Sequence, residues 1–343
     1  MAAGDVEERP IADAIDGVAT PGQHADLFAH EKAIADFETA RNENALHHAW
    51  LLTGPKGIGK ATFAFEMAVR LLGGDERVRR QIAGGAHPGL LHIARAWDEK
   101  AKRFKTQIAV DDVRRTQAFF GMTAVGQGHR CCIVDPADDM SIASANALLK
   151  ILEEPPKGAV FFVISHQPGR LLPTIRSRCR HLALRPLDDA DVELAVRARG
   201  VEASDQALGE AVALSGGSPR QTLLALQGSV LAHYRQFQQI ARKAGEGRQD
   251  WHAVHGLAEK LSARVADAEY DQFSALVQQW IGERARSDAD LRTLAGWAGL
   301  WERTLARDAQ AREFNLDRKQ VVLDLFADLF DTLRAQHSAG RAR

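Results

Sequence analysis

The sequence predicts an α/β fold: a P-loop core built on a parallel sheet, then a small helical lid and an all-helical C-terminal domain. Three observations predict it. Apolar runs at residues 49–52, 90–93, 131–134, 160–164 and 181–184 alternate with helix-patterned segments, and that alternation gives a parallel sheet with helices on both faces. The first run leads into Gly54-Pro55-Lys56-Gly57-Ile58-Gly59-Lys60-Ala61 and then into an amphipathic run over 63–72, the strand, loop and helix order of a phosphate-binding loop. After Pro186 the strand patterns stop, and apolar residues recur at helical spacing.

Residues 1–22, rich in Ala, Gly, Asp and Pro, read as a flexible N-terminal extension. The core occupies 23–186 and opens with a helix over 30–41. Asp111 and Asp112 start a helix over 113–120, their carboxylates lying near the positive end of its dipole. Lys100, Lys102, Arg103 and Lys105 cluster within 98–105, which reads as a solvated hairpin or loop rather than a contact to DNA phosphates. The lid spans 187–228: Asp188 opens one helix, 204–214 forms a second, and Gly216-Gly217-Ser218-Pro219-Arg220 introduces a third. The helical domain spans 229–343, and Trp280, Ile281, Leu291, Leu294, Trp297, Leu300, Trp301 and the apolar residues of 323–333 are core positions in it.

In a P-loop the glycines let backbone N–H groups converge on phosphate oxygens, the lysine supplies a point charge, and the following helix adds its dipole. Gly54, Gly57, Gly59 and Lys60 meet those needs. The next residue should carry a hydroxyl for Mg²⁺, and it is Ala61. Thr62 does not replace it, because one step along a helix turns the side chain by roughly 100°. Asp135 ends the run 131–134, where such proteins orient the metal, but the neighbouring position that should polarise water is Pro136. Both defects fall on metal and water chemistry and none on the phosphate cradle. The cradle leaves two readings open, with ATP or ADP bound or with neither.

The run Asn146-Ala147-Leu148-Leu149-Lys150-Ile151-Leu152-Glu153-Glu154-Pro155-Pro156, the segment Leu171-Leu172-Pro173-Thr174-Ile175-Arg176-Ser177-Arg178-Cys179 and the degenerate P-loop motifs together resemble the delta-prime subunits of the bacterial DNA polymerase III clamp loader. The resemblance runs from about residue 24 to 333 and implies an AAA+ fold, with 229–343 as the collar that joins subunits into a ring. It implies a non-motor subunit that helps place a sliding clamp on primed DNA within the DNA-directed DNA polymerase holoenzyme. Its implied partners are the tau/gamma motor subunits and delta, with clamp and DNA met through the complex. Arg178 matches the arginine finger that such subunits extend into a neighbour's ATP site; the other reading is a pairing with a carboxylate of its own domain. Arg220 stands where AAA+ proteins place a γ-phosphate sensor, or is a helix-surface arginine. Ser165 stands at the polar sensor position. The resemblance implies no required cofactor and no ATP turnover by the isolated chain.

Many relatives carry four zinc-binding cysteines after the P-loop helix, whereas 73–107 here holds none, so zinc is not expected. Adjacent Cys131 and Cys132 point to opposite faces of a strand and cannot share a tetrahedral site, and Cys179 is the third cysteine. The histidines show no metal-type pairing, and no metal site is expected. A formal net charge of −1 over 343 residues removes any global attraction to nucleic acid. Few cysteines suit a reducing cytoplasm, the acidic N-terminus lacks the order of a secretory signal, and no run approaches a transmembrane span of roughly 20 residues, so no membrane partner is expected.

Overall fold

Hydrophobic alternation along the five apolar runs decides how the chain is layered. The computed structural model describes residues 10–23, 26–121, 128–262, 267–287, 291–314 and 316–341. These fall into two compact units, Met1–Leu223 and Leu224–Arg343.

The first unit begins with α1 (Glu31–Asn42), β1 (Ala49–Thr53), α2 (Lys60–Leu71), α3 (Glu76–Ala83) and β2 (Leu90–Ile93). A hairpin of β3 (Trp97–Asp98) and β4 (Arg103–Phe104) precedes α4 (Val110–Gly121) and β5 (Arg130–Val134). Then come α5 (Ile142–Glu153), β6 (Ala159–Ser165), α6 (Pro173–Ser177) and β7 (Arg180–Ala183), and last the lid helices α7 (Asp189–Arg197), α8 (Asp205–Leu214) and α9 (Pro219–Leu226). The main sheet has the order β2-β5-β6-β1-β7, and every neighbouring pair is parallel. Each of the five expected runs supplies one of its strands.

Period-two alternation sends Leu51, Cys132, Val134, Phe161 and Val163 to one face, where they pack with Val113 of α4, Leu148 and Leu152 of α5 and Ile175 of α6. On the other face the Phe37 ring of α1 lies 5.0 Å from Trp50, 5.8 Å from Phe162 and 6.5 Å from Phe63 of α2, all four fully buried. Removing one such aromatic costs about 3–5 kcal/mol. The basic cluster lies on a true hairpin, in which Asp98 Oδ1 accepts from the Lys100 and Ala101 amides and Trp97 packs edge-on against Phe104. Side chains of Ser141, Asp188 and Ser204 cap α5, α7 and α8 by accepting from amides three residues on.

The expected loose extension is corrected in part. Residues 1–9 lie outside the described residues, but Ile15 is buried and Asp13 is bonded to the P-loop region. Two turns, Ile11 C=O to Ala14 N–H and Ile15 C=O to Val18 N–H, shape this segment.

The second unit is helical: the end of α9, then α10 (Val230–Gly245), α11 (Trp251–Ser262), α12 (Asp267–Ser287), α13 (Leu291–Phe314) and α14 (Arg318–Arg341). Phe237 of α10 centres its core, with ring contacts to Phe273 and Trp280 of α12 and Phe326 of α14 between 5.2 and 6.0 Å. Ile281, Trp297, Leu300 and Leu329 are buried as expected, whereas Leu294 and Trp301 are exposed. The buried Asp308 accepts hydrogen bonds from Tyr270, Ser274 and Gln278, so a carboxylate that sequence periodicity did not flag is satisfied inside the bundle.

Candidate nucleotide-type site

Thr53 of β1 pairs with Ser165 of β6, and Val134 of β5 pairs with Val163. The P-loop, Asp135 and Ser165 therefore emerge at the same carboxyl end of the sheet, where open α/β folds hold ligands. Gly54, Gly57 and Gly59 adopt φ of +140°, +87° and +97°, backbone that L side chains rarely take. For two of them close approach adds a second demand. A Cβ on Gly54 would lie 2.4 Å from the Leu184 carbonyl oxygen, and one on Gly57 would lie 2.4 Å from Ser218 Oγ and 2.7 Å from Arg220 Cβ.

Lys60 opens α2 with its side chain almost wholly buried, and its Nζ donates to the carbonyls of Gly54 at 2.6 Å and Pro55 at 2.5 Å. Burial draws its ammonium down to about 8 against the opposing pull of Asp135 and Asp138. Asp135 moves the other way: burial and the neighbouring Asp13 charge push its carboxyl up to about 6, although Lys60 and Lys56 oppose them. His92 Nε2 lies 4.0 Å from Asp135 Oδ2, but burial brings that imidazole down to about 4, so it is neutral at pH 7 and the contact is no ion pair. Ala61 and Pro136, beside Lys60 and Asp135, offer no side-chain oxygen.

Asp138 closes the far side. It accepts from Ser165 Oγ at 2.7 Å, from the His166 amide at 2.5 Å and from the Gln167 amide at 3.3 Å, which ties the end of β6 to the turn after β5 and commits the Ser165 hydroxyl. From the lid, the Arg220 amide donates to Gly57 C=O at 3.3 Å and Ser218 Oγ to Lys56 C=O at 3.3 Å. His30 Nε2 lies 2.8 Å from the Ile58 carbonyl and joins α1 to the same loop. Asp13 reaches Lys56 Nζ at 3.0 Å and Arg95 Nη2 at 3.5 Å, and its carbonyl accepts from Arg220.

The structure thus brings Gly54, Gly57, Gly59, Lys60, Asp135 and Arg220 together. Asp13, His30, His92, Arg95 and Asp138 join them unforeseen. Asp138 was legible, since it sits three residues beyond Asp135 in an acidic turn; Asp13 carried no local signal. Arg178 stands apart from the cradle at the C-terminus of α6, where its Nη2 pairs with Glu153 Oε1 at 2.7 Å and its Nη1 donates to the Thr174 carbonyl at 3.1 Å.

Residues 29–188, the segment that carries the cradle, match the family described as "DNA polymerase III, delta subunit". The chain is 39% identical over 205 residues to the DNA polymerase III subunit delta' of Pseudomonas aeruginosa, an overlap of 57% of this chain and 60% of that protein. It is 34% identical over 209 residues to the corresponding subunit of Escherichia coli K12, covering 58% and 59%. Over its α/β module the chain is therefore similar to DNA polymerase III delta-prime subunits. The chain is also 32% identical over 224 residues to the gamma/tau subunit of Mycobacterium tuberculosis H37Rv, covering 60% of this chain and 37% of that one. It therefore spans about three fifths of the length of the delta-prime relatives named here.

Within this module Cys131, Cys132 and Cys179 are free and buried. Burial pushes the thiols of Cys131 and Cys132 far up and that of Cys179 up to about 12, so all three are unionised at neutral pH. Among the described residues no helix is long and apolar enough to cross a membrane.

Proposed function

We propose that this chain is a non-motor AAA+ subunit of a clamp loader, which stabilises a ring of motor subunits and donates Arg178 to a neighbouring ATP site. One observation carries the reading. At one end of the sheet an intact glycine cradle with Lys60 stands beside Ala61 and Pro136, so phosphate-binding groups are kept where the metal-ligating hydroxyl and the water-polarising acid are missing. The partners are tau/gamma-type motor subunits and a delta-type subunit, with sliding clamp and primed DNA engaged through the complex. No zinc, no required cofactor and no membrane enter the role, and ATP or ADP binding in the cradle is separable from it.

Reconstitution tests this. The purified chain alone should hydrolyse no ATP above background, and adding it to motor and delta subunits should yield a stable complex that loads clamp. Turnover by the isolated chain that Lys60→Ala abolishes would overturn the non-motor reading. Failure to enter the complex would overturn the ring role.

A further inference from the structure

Cations from three separate elements converge on one residue of the N-terminal segment, two on its carboxylate and one on its main-chain carbonyl. Lys56 comes from the P-loop, Arg95 from the turn after β2, and Arg220 from the first turn of α9. Lys56 Nζ is 3.0 Å from Asp13 Oδ2, Arg95 Nη2 is 3.5 Å from Asp13 Oδ1, and Arg220 donates to the Asp13 carbonyl. Asp13 itself adopts φ +61°, which few residues other than glycine take without compensation. The compensation is these contacts together with the burial of Ile15 two residues on.

The site has the chemistry of a phosphate pocket in other respects. Arg95 Nε lies 3.1 Å from Asp139 Oδ2 without the alignment of a hydrogen bond, and among the described residues the buried His166 Nδ1 has no hydrogen-bond partner. Lys60 donates to loop carbonyls, contacts that a polyphosphate would replace with stronger charge-assisted ones. Asp135, Asp138 and Asp139 add negative charge nearby, so a further anion is repelled while the Asp13 charge stays in place.

We propose that residues 10–18 are an internal ligand of the phosphate cradle, with the Asp13 carboxylate holding the anion position so that a polyphosphate must displace it to bind. Two anions cannot share Lys56, Arg95 and Arg220 without mutual repulsion. Apparent affinity therefore falls by the fraction of time the segment is away: if that is a tenth, Kd is weakened about tenfold. The inference deepens the reading of a retained cradle but is independent of ring assembly, since it is measured on the free chain.

The experiment is calorimetric titration of the full chain and of its Asp13→Ala and Asp13→Asn variants with pyrophosphate and, separately, with ADP. Thermal unfolding verifies that each variant is folded, and Asp13→Asn keeps the shape of the turn should Asp13→Ala loosen it. The expected result is that both variants bind pyrophosphate about tenfold more tightly than the unaltered chain or better, that ADP gains in parallel, and that adding Lys56→Ala removes the gain. Equal affinity of variants and unaltered chain, undetectable binding by all of them included, overturns the proposal. So does a gain for ADP without one for pyrophosphate, because the segment would then cover a base pocket and not the phosphate position.

Discussion

Arg178 Nη2 lies 2.7 Å from Glu153 Oε1 and joins the end of α6 to the last residue of α5. Both side chains are substantially exposed, 36% and 43%, and such a pair contributes about 0–1 kcal/mol. That is little to give up when a better anion arrives. A transferred γ-phosphoryl group is such an anion, and the planar fork of a guanidinium suits it.

Arg178→Ala should consequently leave the melting temperature within a few degrees of the parent and leave complex formation intact, while slowing hydrolysis at the neighbouring motor site. Arginine fingers are worth about 10³ to 10⁵ in rate, and the loss for a whole ring should be smaller because other sites keep their own. Glu153→Gln, which releases the arginine, should not slow hydrolysis. Pre-steady-state ATP hydrolysis by the reconstituted complex is the measurement. A large drop in melting temperature with normal hydrolysis by the folded complex would assign Arg178 to its own domain.

The burial of Asp135 has a pH signature. Its carboxyl is raised from an ordinary 3.8 to about 6, so the folded chain holds this proton more tightly than the unfolded one. Its contribution to stability is therefore fully present below about 4 and lost as pH rises through about 6. Asp135→Asn, which mimics the protonated form, should be the more stable protein at pH 7.5 by on the order of 1 kcal/mol, and the two should converge near pH 4. Denaturant titrations across that range decide it. A variant that is less stable than the parent at pH 7.5 would mean that attraction to Lys60 and Lys56 outweighs burial.

The sheet was legible because its inner strands β1, β5 and β6 are nearly continuous apolar runs set off by polar segments, as strands buried on both faces must be, while the edge strands β2 and β7 carry shorter apolar runs. The cradle was legible because its glycines and Lys60 lie consecutively. What stayed hidden depends on distance along the chain. Asp13 and Arg220 are 207 residues apart, and nothing in either neighbourhood announces the other. The N-terminal segment read as loose because its composition lacks periodicity, but one buried isoleucine and one aspartate, held by Lys56 and Arg95 at its carboxylate and by Arg220 at its carbonyl, fix it without any. Gly57 was assigned to phosphate alone, since the lid that presses on it arrives from Ser218 and Arg220.

Two glycines of one loop should respond unequally to the same substitution. Gly57→Ala and Gly59→Ala both put a side chain at positive φ, a cost of about 1–2 kcal/mol. At Gly59 the nearest atom to the added carbon is His30 Nε2 at 3.7 Å, an ordinary contact. At Gly57 it would meet Ser218 Oγ and Arg220 Cβ well inside contact distance, so the lid must shift. Gly57→Ala should therefore unfold several degrees below Gly59→Ala, and loss of the Arg220 amide bond to Gly57 should appear as faster hydrogen exchange at the start of α9. Equal melting temperatures would show that the lid yields freely.

The boundary between the two units defines a truncation. It falls after Leu223, inside α9, so a chain cut there would leave that helix frayed, whereas one ending at Gln227 keeps it whole. Residues beyond that point serve the helical unit: Ser229 donates to Glu269 from both its amide and its hydroxyl, and Phe237 centres a separate aromatic core. A chain of residues 1–227 should thus retain the sheet with its two-faced core and unfold cooperatively, since a unit with its own apolar core can fold alone. If the helical unit is the collar, the same fragment should fail to join motor and delta subunits on size-exclusion chromatography. Far-UV circular dichroism with thermal unfolding checks the first expectation and chromatography the second. A folded fragment that enters the complex with undiminished affinity would move the main assembly surface onto the α/β module.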